Sequence, residues 1–150
     1  KREFAFWGLF GGQLNVTDGR YIYMRAPVKE GQPACYTMAG QHFMRSRVQC
    51  GKEPYQISMG PVFTFTKGYP LMRIENMKAD DLYRHVSLGE SDALLPVCSG
   101  NMLFDLKNDP RQEQVIRDDK LEKMFCSILK QWLIQMDAPN ELYKFYGLCD

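Results

Sequence analysis

The residues best suited to binding a charged group lie between positions 32 and 52. This stretch contains no Asp or Glu, and its basic residues are His42, Arg45, Arg47 and Lys52. An arginine guanidinium presents paired N–H donors that match the oxygens of a sulfate or a phosphate. His42, Arg45 and Arg47 are therefore candidate contacts to an anionic group. The alternative is a solvated loop whose arginines pair with carboxylates elsewhere.

The sequence predicts no catalytic nucleophile. A catalytic serine or cysteine needs a base within hydrogen-bond reach, and the two histidines are His42 and His85. The pattern Gly-x-Ser-x-Gly does not occur. Cys98, in LPVCSG, has the most exposed-looking thiol, but glycine-rich surroundings alone do not lower a thiol pKa.

A partial metal-ligand pattern lies in ADDLYRH, residues 79–85. If this segment is helical, Asp81 and His85 share one face at i and i+4. A catalytic metal usually has three protein ligands, so this pair is insufficient. We favour the alternative, in which Asp80 and Asp81 cap a helix and His85 lies at the surface.

The cysteines argue against a zinc site, because their number is odd and no Cys-x-x-Cys pair occurs. They are Cys35, Cys50, Cys98, Cys126 and Cys149. One disulfide is left open, but Cys126 falls on an apolar helical face and is expected to pack. The pattern favours a reducing compartment, the cytoplasm, with the periplasm or secretion as alternatives.

Length and charge narrow the class of protein. A chain of 150 residues has the size of one domain, so residues 1–150 are predicted to form a single domain. A net charge of +1 disfavours nucleic acid, and no run approaches the ~20 apolar residues of a membrane span. Glycines interrupt the apolar start, which disfavours a signal peptide. Because the chain begins with Lys1, we expect a fragment of a longer protein.

The triplet Asn15-Val16-Thr17 matches the acceptor sequence for N-glycosylation. Such short matches often arise by chance. Asn and Thr also have a local role beside turns, which is sufficient to explain both residues here.

Strand patterns dominate the first two thirds of the chain. The clearest is a hairpin over residues 13–26, with its turn at Asp18-Gly19 and residues 4–10 extending its first strand. A second strand pair is predicted over 62–66 and 71–74, joined at Lys67-Gly68, and a further strand over 102–106.

Helical patterns dominate the last third. Asp119 and Glu122 resemble a capping box, and apolar residues then recur every three or four positions up to Met136. Shorter helices are predicted over 111–117, after Asp109-Pro110, and over 140–146, ending at Gly147. Strands followed by helices predict an α+β fold.

Several segments resemble, in the same order, the C-terminal subdomain of sulfatases of the alkaline-phosphatase superfamily. GLFGGQLNVTDGRYIYMRAP resembles its opening hairpin, and YTMAGQHFMRSRV its Tyr-Thr-Leu-Met-Pro-Thr-His-Met-Arg-Ser-Arg stretch. FTFTKGYPLMRI resembles its Phe-x-Phe-Thr-Lys-Gly strand pair, and NMLFDLKNDPRQEQVI its Leu-Tyr-Asp-Leu-Glu-Asn-Asp-Pro segment. The ending DAPNELYKFYGL also fits. The resemblance spans nearly the whole chain.

The resemblance implies a small antiparallel sheet of about four strands packed against a long C-terminal helix. It also implies a partner, the N-terminal catalytic domain of the same polypeptide. In complete sulfatases that domain supplies a formylglycine, made from a Cys/Ser-x-Pro-x-Arg motif, and binds a divalent metal, Ca²⁺ or similar. None of the five cysteines here begins such a motif, so no cofactor is expected in this chain. The implied substrate is a sulfate or phosphate ester.

Two departures from the family pattern affect the candidate site. Gln13 stands where the family often has His, and Ala39-Gly40 replaces a Pro, with an insertion around Phe43. The three candidates His42, Arg45 and Arg47 still match. If this subdomain contacts the substrate, they are its expected contacts.

Three functions therefore compete. The first is a non-catalytic subdomain of a sulfatase that covers the catalytic domain, helps shape the substrate cleft and presents an exposed apolar patch for docking. Five aromatic residues near the start are candidates for that patch: Phe4, Phe6, Trp7, Phe10 and Tyr21. The second is a free-standing module that binds an anionic ligand, a carbohydrate or a protein. The third is an oligomerisation element, which leaves a homo-oligomer open.

Overall fold

A computed structural model describes residues 2–8, 11–28, 33–38, 56–75 and 100–148. These residues form an α+β structure with antiparallel sheets and two α-helices, so the predicted class is confirmed. The strands are β1 (Ala5–Gly8), β2 (Leu14–Thr17), β3 (Tyr21–Arg25), β4 (Cys35–Thr37), β5 (Gln56–Val62), β6 (Pro70–Glu75) and β7 (Met102–Asp105). The helices are α1 (Asp119–Gln135) and α2 (Asn140–Phe145).

The chain divides into two compact units. The first combines Lys1–Glu30 with Gly89–Asp150, and the second is Gly31–Leu88. Compact units of this kind can belong to one domain, so the single-domain prediction stays a prediction. We call them the helical unit and the three-stranded unit.

The helical unit contains an antiparallel sheet with the order β1-β2-β3-β7. The predicted turn between β2 and β3 is confirmed, because Gly19 has φ +94° and Asp18 Oδ1 accepts from the backbone N–H groups of Arg20 (2.8 Å) and Tyr21 (2.7 Å). The prediction that residues 4–10 extend β2 is wrong. They contain a separate strand, β1, because the chain reverses near Gly11, at φ +72°, before pairing with β2.

One face of this sheet forms the core with α1. Paired positions on neighbouring strands share a face, and Val16, Tyr23 and Leu103 form one such row. All three are at most 1% exposed, and Phe125 and Leu129 of α1 are fully buried in the same cluster. Their spacing of four places both on one side of the helix. Burying a side chain such as Phe125 contributes roughly 1.5–3 kcal/mol to folding.

The ends of α1 are set by local hydrogen bonds. Its N-cap is Asp118, whose Oδ1 accepts from the backbone N–H groups of Lys120 and Leu121, so the predicted cap at Asp119 is wrong by one residue. At the other end Asp137 adopts φ +53° and Ala138 N–H donates to Leu133 O (2.9 Å). This is a Schellman motif, which closes the last turn.

The helix predicted over 111–117 is absent from the described structure, and that prediction is wrong. Gln112 has φ +56°, which interrupts a right-handed helix. Asp109 Oδ2 instead accepts from Gln114 N–H (2.8 Å), and Ile116 N–H donates to Leu103 O (2.8 Å). Ile116 therefore lies beside β7, and its backbone N–H bonds to the sheet.

The three-stranded unit contains an antiparallel sheet with the order β4-β6-β5. The predicted turn at Lys67-Gly68 is confirmed, with φ values of +53° and +91°. The strand predicted over 62–66 is wrong, because β5 ends at Val62 and a 3-10 turn covers Thr64–Thr66. The Thr66 hydroxyl accepts from Phe63 N–H (3.1 Å) and donates to Phe63 O (2.8 Å), which closes that turn.

Candidate functional site

A groove lies on one face of the three-stranded unit. Its volume is about 490 Å³, and all the described residues that line it are uncharged. They include Thr37, Met38, Ile57, Met59, Pro70 and Met72, and we call this surface the methionine groove.

The sheet register explains why these side chains meet. Met59 pairs with Met72, and Met72 pairs with Thr37 across the other edge of β6, so all three lie on one face. Ile57 is two residues before Met59 and shares that face. The groove thus combines three strands, and the alternating apolar positions 57 and 59 are its one signal in the sequence.

The groove is open to solvent. Met38 is 77% exposed, Met59 75% and Ile57 48%. Contiguous exposed apolar side chains on a folded unit mark surfaces that contact another molecule. Methionine is unbranched and adapts its shape to a partner, which suits an apolar docking surface.

Two exposed aromatic side chains flank the turn between β5 and β6. Phe65 is 65% exposed and Tyr69 is 70% exposed. The Phe65 ring stacks on Phe63, with centroids 5.4 Å apart, and Phe63 meets Tyr36 edge to face at 5.3 Å. The buried Phe63 therefore packs against the Phe65 ring, and Phe65 is otherwise largely exposed to solvent.

A second cleft, of about 300 Å³, lies in the helical unit beside α1. The hydroxyl of Tyr23 and the thiol of Cys126 share a hydrogen bond of 3.5 Å, and Arg25 Nη1 donates to the same hydroxyl at 3.4 Å. Burial, followed by the bond to Cys126, raises the pKa of Tyr23 well above its ordinary value. The phenol therefore stays protonated at neutral pH and is not a base.

Arg25 has a structural role in that cleft. Its Nε donates to Tyr146 O (2.8 Å) and its Nη2 donates to Gly147 O (3.1 Å). These carbonyls end α2, where a cation interacts favourably with the helix dipole. The guanidinium thus anchors the last helix to β3.

The two described cysteines give no sign of a reactive thiolate. Cys35 and Cys126 are both free thiols. Burial raises the pKa of the Cys35 thiol, which disfavours the reactive thiolate. The described residues contain no group of three His, Cys, Asp or Glu side chains that could hold a metal ion.

The predicted substrate contacts His42, Arg45 and Arg47 lie outside the described residues and remain predictions. The same holds for the partial metal pattern Asp81 and His85, for Asp80, and for the thiols Cys50, Cys98 and Cys149.

The glycosylation triplet has a structural role. Asn15 is only 8% exposed within β2, and its buried Oδ1 has no hydrogen-bond partner among the described residues. Thr17 Oγ1 donates to Tyr21 O (2.6 Å) and accepts from Gly19 N–H (2.9 Å). The threonine therefore stabilises the β2–β3 turn, and the asparagine is largely buried in the folded chain.

The five aromatic residues expected to form a docking patch do not form it together. Phe4, Phe6 and Tyr21 pack against the core of the helical unit, and Phe6 stacks on Trp132 at 4.7 Å. Trp7 is 41% exposed, and Phe10 lies outside the described residues. The predicted patch is incomplete because side chains alternate between the two faces of a strand, and this alternation places Phe6 on the core face.

Gln13, which departs from the sulfatase pattern that the sequence resembles, makes a defined contact. Gln13 Nε2 donates to the carbonyl oxygen of Gly100 (3.0 Å), so this amide links the segment before β2 to the segment before β7. The Gln13 side chain thus contacts the backbone of the same unit.

No helix among the described residues combines the length and apolar character that a membrane crossing needs. Comparison with known proteins found no matching family model, no matching curated protein and no matching solved structure.

Proposed function

We propose that this chain is the C-terminal subdomain of a sulfatase-type hydrolase, which packs on the catalytic domain of the same polypeptide and helps to shape the substrate cleft. The ordered resemblance of its segments to that subdomain supports the family. The α+β class with a four-stranded antiparallel sheet is compatible with it.

Pairing between the resembling segments adds support. The hairpin GLFGGQLNVTDGRYIYMRAP contributes β3, and NMLFDLKNDPRQEQVI contributes β7, which pairs with β3 from Tyr21 opposite Asp105 to Met24 opposite Met102. The segments YTMAGQHFMRSRV and FTFTKGYPLMRI contribute to β4 and β6, which also pair. Segments matched separately in the sequence thus meet as neighbouring strands, which is compatible with their belonging to one subdomain.

The observation that carries the docking role is the methionine groove. Its described lining is uncharged, and Met38 and Met59 are largely exposed. Removing such side chains from water stabilises an interface by roughly 25 cal/mol per Å² of apolar surface. An apolar face of the catalytic domain is the partner that this chemistry suits.

Under this proposal the chemistry is divided between two parts of one polypeptide. The catalytic domain supplies the formylglycine nucleophile and the divalent metal. This chain supplies His42, Arg45 and Arg47 as candidate donors to the sulfate or phosphate ester. A cytoplasmic location is part of the same proposal.

The test compares two proteins: the 150-residue chain alone, and the same chain with its upstream coding sequence translated. We expect a Cys/Ser-x-Pro-x-Arg motif upstream and turnover of an aryl sulfate by the longer protein only. Turnover by the short chain alone would contradict a division of labour. Absence of the motif would contradict the family.

A free-standing carbohydrate-binding module is the second candidate, favoured by the exposed rings of Phe65 and Tyr69. Such rings stack on sugar faces. In this case the isolated chain binds a sulfated sugar, and binding weakens in Phe65→Ala but not in Val115→Ala, an exposed residue of the helical unit. Equal binding by both variants would remove this candidate.

A further inference from the structure

No further inference is drawn: the strongest candidate, the cleft beside α1 that contains Tyr23, Arg25 and Cys126, rests on a lone cysteine, and no second observation points to a ligand there.

Discussion

The two compact units use their apolar residues differently. In the helical unit, one face of the sheet is buried beneath α1, and Val16, Tyr23 and Phe125 are fully removed from water. In the three-stranded unit, Met38 and Met59 are largely exposed. Both units bury apolar residues, because Phe63, Leu71 and Ile74 are buried in the three-stranded unit, and the difference lies in the exposed methionines beside the three-stranded sheet. The face beneath α1 holds the helical unit together, and under our proposal the exposed methionines of the three-stranded unit contact a partner.

The largest expected effect is on the buried face. Phe125→Ala removes a fully buried ring that stacks on Tyr23, with centroids 5.9 Å apart. We expect it to lower the free energy of unfolding by about 3–5 kcal/mol, measured by urea denaturation. The matched variant Met59→Ala truncates an exposed side chain and should cost under about 0.5 kcal/mol. Equal losses of unfolding free energy in the two variants would contradict the contrast between a buried face in the helical unit and an exposed one in the three-stranded unit.

The next effect concerns the anchor of α2 in the helical unit. Gly147 has φ +60°, and a Cβ there would lie 2.9 Å from Val28 Cγ1 and 3.0 Å from Arg25 Nη2. Gly147→Ala therefore combines left-handed strain with overpacking and should cost about 2 kcal/mol or more.

Gly19→Ala is the control for that substitution. Gly19 has φ +94°, but no atom of the described part of the chain lies within 4 Å of its added Cβ. Its cost should reflect strain alone, about 1–2 kcal/mol. Thermal unfolding measures both variants, and a larger loss for Gly19→Ala would show that the contacts around Gly147 are loose.

A smaller effect on stability is expected from removing one ion pair in each unit. In the helical unit, Arg20 Nε and Nη2 donate to the Asp105 carboxylate at 3.3 and 3.1 Å, and this contact holds the pKa of Asp105 below its ordinary value of 3.8. As the pH falls, the unfolded chain binds the proton first. The stability that this contact contributes is therefore complete at pH values above 3.8, and it disappears as the pH falls through the lower pKa of the folded state.

Asp105→Asn tests this dependence. We expect it to lower the urea midpoint at pH 7, with the gap to the parent protein closing as the pH falls below 3.8. The control is Glu75→Gln, which removes an ion pair with Arg73 at the surface of the three-stranded unit. Exposed pairs contribute about 0–1 kcal/mol, so its effect should be smaller. A gap that persists at low pH would contradict the assigned role of Asp105.

The smallest expected effect is on the exposed groove. Met59→Lys should change the free energy of unfolding of the chain by no more than about 0.5 kcal/mol, because this side chain is already 75% exposed. Gln56→Lys, an exposed position on the same strand, is the control for the added charge. A loss above 2 kcal/mol for Met59→Lys alone would show that the groove belongs to a core.

Local signals in the sequence were sufficient for some elements. Asp18-Gly19 and Lys67-Gly68 define turns through residues that need positive φ, so both turns could be predicted. The apolar period of three and four residues in the segment that forms α1 is equally local, and Leu129 and Leu133 lie on its buried side.

Long-range pairing explains some of the predictions that failed, and local features such as the turn closed by Thr66 explain others. The segment predicted as a helix over 111–117 contains Gln112 at positive φ, and its Ile116 N–H donates to Leu103 O of β7, a long-range contact that no local pattern records. The methionine groove was missed for the same reason, because its lining comes from β4, β5 and β6. The candidates His42, Arg45 and Arg47 remain predictions from composition and resemblance.

Methionine oxidation tests the central claim most directly. The 150-residue chain and the longer polypeptide are treated with dilute peroxide, and each methionine sulfoxide is followed by mass spectrometry. Met38 and Met59 should oxidise readily in the short chain and be protected in the longer protein. Met124, 41% exposed on α1, reports the reactivity of an exposed methionine outside the groove in both samples. Equal oxidation of Met38 and Met59 in both proteins would contradict docking through the methionine groove.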